Sequence, residues 1–170
     1  MGQCGRKADR DVAMTPANLA LLIAELRRDE GVRYVPYLDT ATPPNETVGV
    51  GFNLNAHPLP VGWTYPLSDA QVDQLLTQTL QETFAGLNAS LPWWVSLDVV
   101  RQRCVANVAF NIGVAGLLGF HNALFALQRG SYAVAAAGFK ASAWYGQVGA
   151  RAQRICYAIE YGQMPDEPVA

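Results

Sequence analysis

The chain has 170 residues, the length of one ordinary domain, which is enough to bury a core without disulfides or metals. Apolar residues make up 51% and charged residues 15%, against about 25% charged in an average soluble protein, so a disordered chain is excluded. The formal charge of −2 is uneven, because residues 97–162 contain six Lys or Arg and only two acids. A solvated surface is the ordinary explanation of this basic half, but it also suits an enzyme that acts on an anionic polymer, whose attraction salt should weaken.

The first predicted helix begins after Thr15, which is an N-cap residue followed by Pro16. Its apolar stripe ends before Gly31, so Glu30 lies at the C-terminal end of the helix. Residues 34–52 then change to a strand-like and turn-rich sequence. This pattern predicts a small β-hairpin region with an exposed tip.

A second helix is predicted from Ser68 to about residue 87, because Ser68 and Gln71 form a capping-box pattern. Beyond Pro92 the periodicity is helical throughout, with glycines as stops. The predicted fold is therefore α+β, with one domain over residues 15–164. Its parts are an N-terminal arm (1–14), a hairpin lobe (about 31–67), a connecting helix (about 68–87), a helical lobe (about 88–162) and a C-terminal tail (165–170).

The N-terminal arm mixes charges without an apolar core, which is not typical of a secretory signal. The uncharged run from Cys104 to Gln128 is long enough to cross a bilayer. Its polar side chains and glycines nevertheless favour two buried helices joined by a Gly-rich turn, so no stable membrane insertion is expected. The three cysteines have no framework spacing, and Cys104 and Cys156 are expected to be reduced and buried.

Few side chains offer catalytic chemistry. His57 and His121 are the two histidines, and neither lies three or four residues from another metal ligand on a helix, so no metal site is predicted. Nucleotide-binding and serine-hydrolase motifs are absent from the sequence, and no cofactor is expected.

Two acids remain, Glu30 at a helix end and Asp39 nine residues later. Glycoside hydrolysis needs two carboxyl groups, one that gives a proton and one that is ionised. The negative end of the helix dipole favours the protonated form of Glu30, whereas Asp39 in a polar loop ionises more easily. On spacing alone, however, two solvated acids are the more common explanation.

Three blocks of sequence change this balance. They are Asp29-Glu30-Gly31 with Tyr37-Leu38-Asp39-Thr40 and Thr47-Val48-Gly49-Val50-Gly51, residues 107–113 with 119–122, and residues 143–147 with 151–154. Together they closely resemble the phage-type lysozymes, the endolysin family of the T-even phage type, in the family's order over about residues 15–164. The resemblance implies a lysozyme-like fold with an active-site cleft between the two lobes.

The same resemblance implies roles for single residues. Glu30 is implied to be the general acid, Asp39 the second carboxylate and Thr47 the residue that helps hold the attacking water. The implied substrate-binding positions are Asn53, Phe110, Ala123, Gly138 and Arg151, of which Arg151 is expected to pair with Glu30. The spacing from Asp39 to Thr47 is two residues longer than is usual in this family. The main risk to the assignment is therefore that the strand shifts and carries the Thr47 hydroxyl out of the cleft.

The implied function is a cofactor-free, inverting muramidase that cleaves the β-1,4 bond between N-acetylmuramic acid and N-acetylglucosamine in bacterial peptidoglycan. Such a phage or prophage endolysin would wait as a monomer in the host cytoplasm until a holin-type membrane protein admits it to the wall in the periplasm, and it would bind no nucleic acid. Two alternatives stay open. A lytic transglycosylase needs one Glu and no water, and a non-catalytic wall-binding or virion module needs none of the three residues.

Overall fold

The computed structural model describes residues 14–167, so most of the predicted N-terminal arm and part of the predicted tail lie outside the described residues. Helix α1 (Pro16–Glu30) precedes strands β1 (Arg33–Leu38), β2 (Glu46–Gly49) and β3 (Phe52–Asn53). The helices that follow are α2 (Asp69–Ser90), α3 (Val99–Leu118), α4 (His121–Gln128), α5 (Tyr132–Lys140), α6 (Ala143–Val148) and α7 (Ala150–Tyr161), with a 3₁₀ turn at Pro92–Ser96. The fold is thus mixed α+β and mostly helical, as the sequence predicts.

The two ends of α1 follow from local sequence. The Thr15 hydroxyl accepts a hydrogen bond from the backbone N–H of Asn18, and Pro16 occupies the first turn. Gly31 ends the helix with a φ of 75°, a conformation that glycine adopts without strain. Because Leu22 and Leu26 are fully buried, the helix is anchored in the core, and Glu30 is fixed at its last position.

The three strands form an antiparallel sheet in the order β1-β2-β3. Thr47 in the central strand pairs with Tyr37 on one side and with Asn53 on the other. The edge strand β1 has a register irregularity between Arg33 and Tyr37. Pro36 lies within this irregularity, where its missing N–H removes no regular ladder hydrogen bond.

Helix α2 begins where the sequence predicts, directly after Ser68, and it ends three residues beyond the predicted end at about residue 87. Ser68 and Gln71 form the capping box, with each side chain bonded to the other residue's backbone N–H. The buried stripe ends at Leu87, but the helix continues to Ser90. Apolar periodicity therefore marks the buried part of α2, whereas the start of the next turn at Pro92 marks its true end.

Helix α3 runs through the middle of the helical part, and its residues 101–109 are all buried. Gly113 interrupts it with φ 77° and ψ 157°, as expected for a glycine stop. Within residues 14–167 no single helix is long and apolar enough to span a membrane; α3 and α4 meet the length and composition criterion only as a pair, bent by 107°.

Two tryptophans lie in the core, together with the two cysteines that the sequence predicts to be buried. Trp94 and Trp144 are buried, and their indole N–H groups donate to Asn88 and Asn111. Cys104 and Cys156 are buried and unpaired. Burial raises the pKa of both thiols, that of Cys156 to about 11, so these cysteines behave as small apolar side chains.

Candidate active site

Glu30 at the end of α1 forms an ion pair with Arg151 near the start of α7. The Nη1 group of Arg151 donates to Oε1 of Glu30. The Arg151 side chain is 6% exposed, whereas the Glu30 side chain is 29% exposed. The guanidinium is therefore held inside the protein while the carboxyl group stays accessible to a ligand.

Arg151 is itself fixed by α3. Its Nε donates to Oδ1 of Asn107 at 2.8 Å, and its Nη2 donates to the backbone carbonyl of Asn107 at 3.2 Å. The Asn107 side chain is buried. Because all three guanidinium nitrogens are engaged, Arg151 holds Glu30 in one position between α1, α3 and α7.

Asp29 is the buried neighbour of Glu30. Its side chain is 1% exposed and forms ion pairs with Arg28 at 2.9 Å and Arg154 at 2.5 Å, and its Oδ2 lies 3.8 Å from Nε of Arg151. Burial alone would raise the pKa of Asp29, but the hydrogen bonds and charges of Arg28 and Arg154 outweigh burial and hold the pKa below its ordinary value. Asp29 is thus a charged anchor beneath the Glu30 pair, which its motif alone did not predict.

Asp39 follows β1 and accepts three hydrogen bonds from its own turn. Oδ1 accepts from the backbone N–H groups of Ala41 at 3.0 Å and Asn45 at 2.8 Å, and Oδ2 accepts from the side-chain amide of Asn45 at 3.0 Å. The two Asn45 donors contribute most to lowering the pKa of Asp39, and Ala41 adds to them against the effect of desolvation. The carboxylate is therefore ionised and oriented, and Asn45 is the residue that sequence reasoning missed.

The extension between Asp39 and Thr47 leaves Thr47 inside the protein. The Thr47 side chain is buried, and its hydroxyl donates to the backbone carbonyl of Asn45 at 3.3 Å. The same carbonyl accepts from the backbone N–H of Asp39 at 2.9 Å. The longer turn therefore closes back on Asp39, and the risk that Thr47 turns to solvent is not realised.

The charges of both candidate carboxyl groups affect the pKa of Tyr37. Burial raises the pKa of Tyr37, Arg33 opposes this effect, and the charges of Asp39 and Glu30 raise the pKa further. Because a nearby negative charge disfavours a phenolate, both acids act in the same direction on Tyr37.

The implied substrate-binding positions differ in what they can offer. Asn53 lies opposite Thr47, but its Oδ1 already accepts from the backbone N–H groups of Asn55 and Ala56. Phe110 is half-buried and packs against the core. Of these two, Asn53 has only its amide N–H groups left for a ligand, and Phe110 has a partly exposed ring.

Ala123 and Gly138 meet where α4 packs on α5. A Cβ atom on Gly138 would lie only 2.9 Å from the Cβ of Ala123. Both residues line a pocket of about 440 Å³, whose polar rim includes His121, Asn122 and Ser142. Ala123 and Gly138 therefore form an apolar part of the pocket wall, and a polar ligand there would meet the rim residues instead.

The basic character of residues 97–162 is largely neutralised within the fold. Five of the six cations pair with described carboxylates, and the pairs are Arg101–Asp98, Arg103–Glu25, Arg103–Glu167, Lys140–Glu160, Arg151–Glu30 and Arg154–Asp29. The sixth, Arg129, lies 5.3 Å from the ring of Phe125. This half therefore carries less unpaired positive charge than its sequence suggests, because most of the acid partners come from outside it.

Metal chemistry receives no structural support in the part of the chain that the structure describes. No group of three or more His, Cys, Asp or Glu residues between 14 and 167 could hold a metal ion.

Comparison with known proteins finds a similarity to a phage protein. No protein-family model matches it. The chain is similar to the pre-baseplate central spike protein Gp5 of Enterobacteria phage T4, with 27% identity over 186 aligned residues. The alignment covers 92% of this chain and 31% of Gp5, so the chain spans about a third of the length of this relative.

Proposed function

We propose that the protein is a muramidase with a lysozyme-like fold that hydrolyses the β-1,4 bond between N-acetylmuramic acid and N-acetylglucosamine in bacterial peptidoglycan. The observation that carries the proposal is a pair of unlike carboxyl groups. Glu30 is accessible and held by Arg151, whereas Asp39 is held ionised by turn amides beside the buried hydroxyl of Thr47. Two carboxyl groups with different surroundings are what acid–base cleavage of a glycosidic bond requires.

In this mechanism Glu30 gives its proton to the bridging glycosidic oxygen, and the bond from that oxygen to the anomeric carbon breaks. A water molecule held by Thr47 attacks the anomeric carbon from the opposite face and loses a proton to Asp39. Arg151 then stabilises the carboxylate left on Glu30. Attack from the opposite face inverts the anomeric centre.

The other chemistries fit the described side chains less well. A lytic transglycosylase would need only Glu30 and would expel water. That mechanism gives no catalytic role to Asp39, which accepts three hydrogen bonds, or to the hydrogen-bonded hydroxyl of Thr47. A non-catalytic wall-binding module would need neither acid.

Two settings use the same reaction. As an endolysin, the protein would stay as a monomer in the host cytoplasm until a holin-type membrane protein lets it reach peptidoglycan in the periplasm. The similarity to a phage spike protein over most of the chain favours a second setting, in which the muramidase is carried by the virion.

The proposal is tested with purified peptidoglycan and the variant Glu30→Gln. The amide keeps an oxygen for Arg151 but has no proton to give, so the release of reducing ends should fall about 10²–10⁴-fold. Glu46→Gln, an exposed glutamate on β2, is the matched control and should keep the parental rate. If Glu30→Gln releases reducing ends as fast as the parent, Glu30 is not the acid.

A further inference from the structure

We propose that Asn45 is a positioning residue that orients both Asp39 and Thr47 toward the attacking water. Asn45 has this role only if the chain is a muramidase, as proposed above. It lies in the turn lengthened by two residues, and it contacts both members of the pair that would hold the water.

Asn45 uses three groups, which make four hydrogen bonds. Its backbone N–H donates to Oδ1 of Asp39 and its side-chain amide donates to Oδ2. Its carbonyl oxygen accepts from the backbone N–H of Asp39 and from the hydroxyl of Thr47. One residue therefore fixes the carboxylate, the chain that carries it and the neighbouring hydroxyl.

The hydrogen bonds identify the oxygen of Asp39 that acts as the base. Each carboxylate oxygen has about two acceptor sites. Oδ1 accepts from both Ala41 and Asn45, so its sites are filled, whereas Oδ2 accepts only from the Asn45 amide among the described residues. The free site on Oδ2 is therefore the one that receives the proton of water.

The hydrogen bond of Thr47 sets the direction in which its hydroxyl acts. Because its proton is donated to the Asn45 carbonyl, its oxygen is left to accept a hydrogen bond. The water then donates one proton to Thr47 and the other to Oδ2 of Asp39, which leaves a lone pair for the anomeric carbon. On attack, the proton shared with Asp39 is transferred, and the other stays on the new hydroxyl of the product.

The test compares Asn45→Ala and Asn45→Asp with Asn55→Ala, using soluble peptidoglycan oligomers and a pH series. Asn55 lies in the loop after β3, and its side-chain oxygen accepts from the backbone N–H of Glu46 on β2. Asn55 is the matched control because no described hydrogen bond joins it to Asp39 or Thr47. Loss of the amide donor should lower kcat about ten- to a hundredfold with little change in KM. The acidic limb of the kcat profile should move to higher pH, most in Asn45→Asp, where a second carboxylate faces Asp39.

Asn55→Ala should keep the parental profile, and thermal unfolding of each variant checks that it folds. If Asn45→Ala does not fold, Asn45→Asp, which keeps the side-chain shape, supplies the same pH profile. An active parent whose folded Asn45 variants keep the parental kcat and acidic limb overturns the role of Asn45 alone. A parent that releases no reducing ends overturns the proposed function and the role of Asn45 together.

Discussion

Glu25 is a buried acid whose replacement should make the protein more stable at neutral pH. Its side chain is 0% exposed, and the side chain of its partner Arg103 is 1% exposed. The Arg103 Nε and Glu25 Oε1 atoms are 3.1 Å apart, but they are not aligned as a hydrogen bond, and within residues 14–167 neither oxygen of Glu25 has a hydrogen-bond donor. Burial raises the pKa of Glu25 from 4.5 to about 7, although Arg103 opposes the rise.

The sign and size of the effect follow from this pKa. Below pH 4.5 Glu25 is protonated in both the folded and the unfolded chain. As the pH rises to 7, the unfolded chain releases this proton while the folded chain keeps it, so the free energy of unfolding falls. Each tenfold change in an acid constant is worth about 1.4 kcal/mol, so the ionised form costs the fold about 3 kcal/mol above pH 7.

The assay is urea unfolding of the parent, Glu25→Gln and the exposed control Glu46→Gln at pH 4.5 and pH 8. Glu25→Gln should be close to the parent at pH 4.5 and about 3 kcal/mol more stable at pH 8, a rise of roughly 6–12 °C in Tm. Asp29, whose lowered pKa acts with the opposite sign, is present in all three proteins and cancels in the comparison. A stability difference that does not change with pH would refute the reasoning.

Two further predictions concern catalysis. Five of the six cations in residues 97–162 are paired. The rate of peptidoglycan lysis should therefore change little between about 0.1 and 1 M salt, although the Debye length shrinks from about 10 to 3 Å. A steep fall of this rate in turbidity assays would show that unpaired charge attracts the substrate. Attack by water from the Asp39 side should give an α-configured first product, which proton NMR detects within the first turnovers, and a β-configured first product would contradict inversion.

Signals within one turn of a helix predicted the local structure well. Thr15 with Pro16 and Ser68 with Gln71 mark helix starts in the sequence, and the structure has both. Gly113 likewise breaks α3, as a glycine stop predicts, although the element continues beyond this kink to Leu118. These predictions succeed because capping and backbone freedom depend on residues close together in the chain.

Contacts that join distant segments could not be predicted in the same way. The ion pair between Arg103 and Glu25 depends on how α1 packs against α3. The ion pair between Arg154 and Asp29 depends in the same way on the packing of α1 against α7. A net charge calculated from sequence does not show which acids and bases form ion pairs. The sequence therefore overstated the unpaired positive charge of residues 97–162. Asn45 is near Asp39 in sequence, but their hydrogen bonds form within an irregular turn. Such a turn has no periodic sequence pattern from which these bonds could be predicted.

The most direct test of the muramidase proposal is mass spectrometry of the fragments that the protein releases from purified peptidoglycan, before and after borohydride reduction. A muramidase predicts fragments that end in an N-acetylmuramic acid with a free reducing end, which gains two hydrogen atoms on reduction. Fragments that end in an anhydro sugar and resist reduction would show a lytic transglycosylase. The absence of any released fragment from folded protein would contradict the enzymatic account and support a binding module instead.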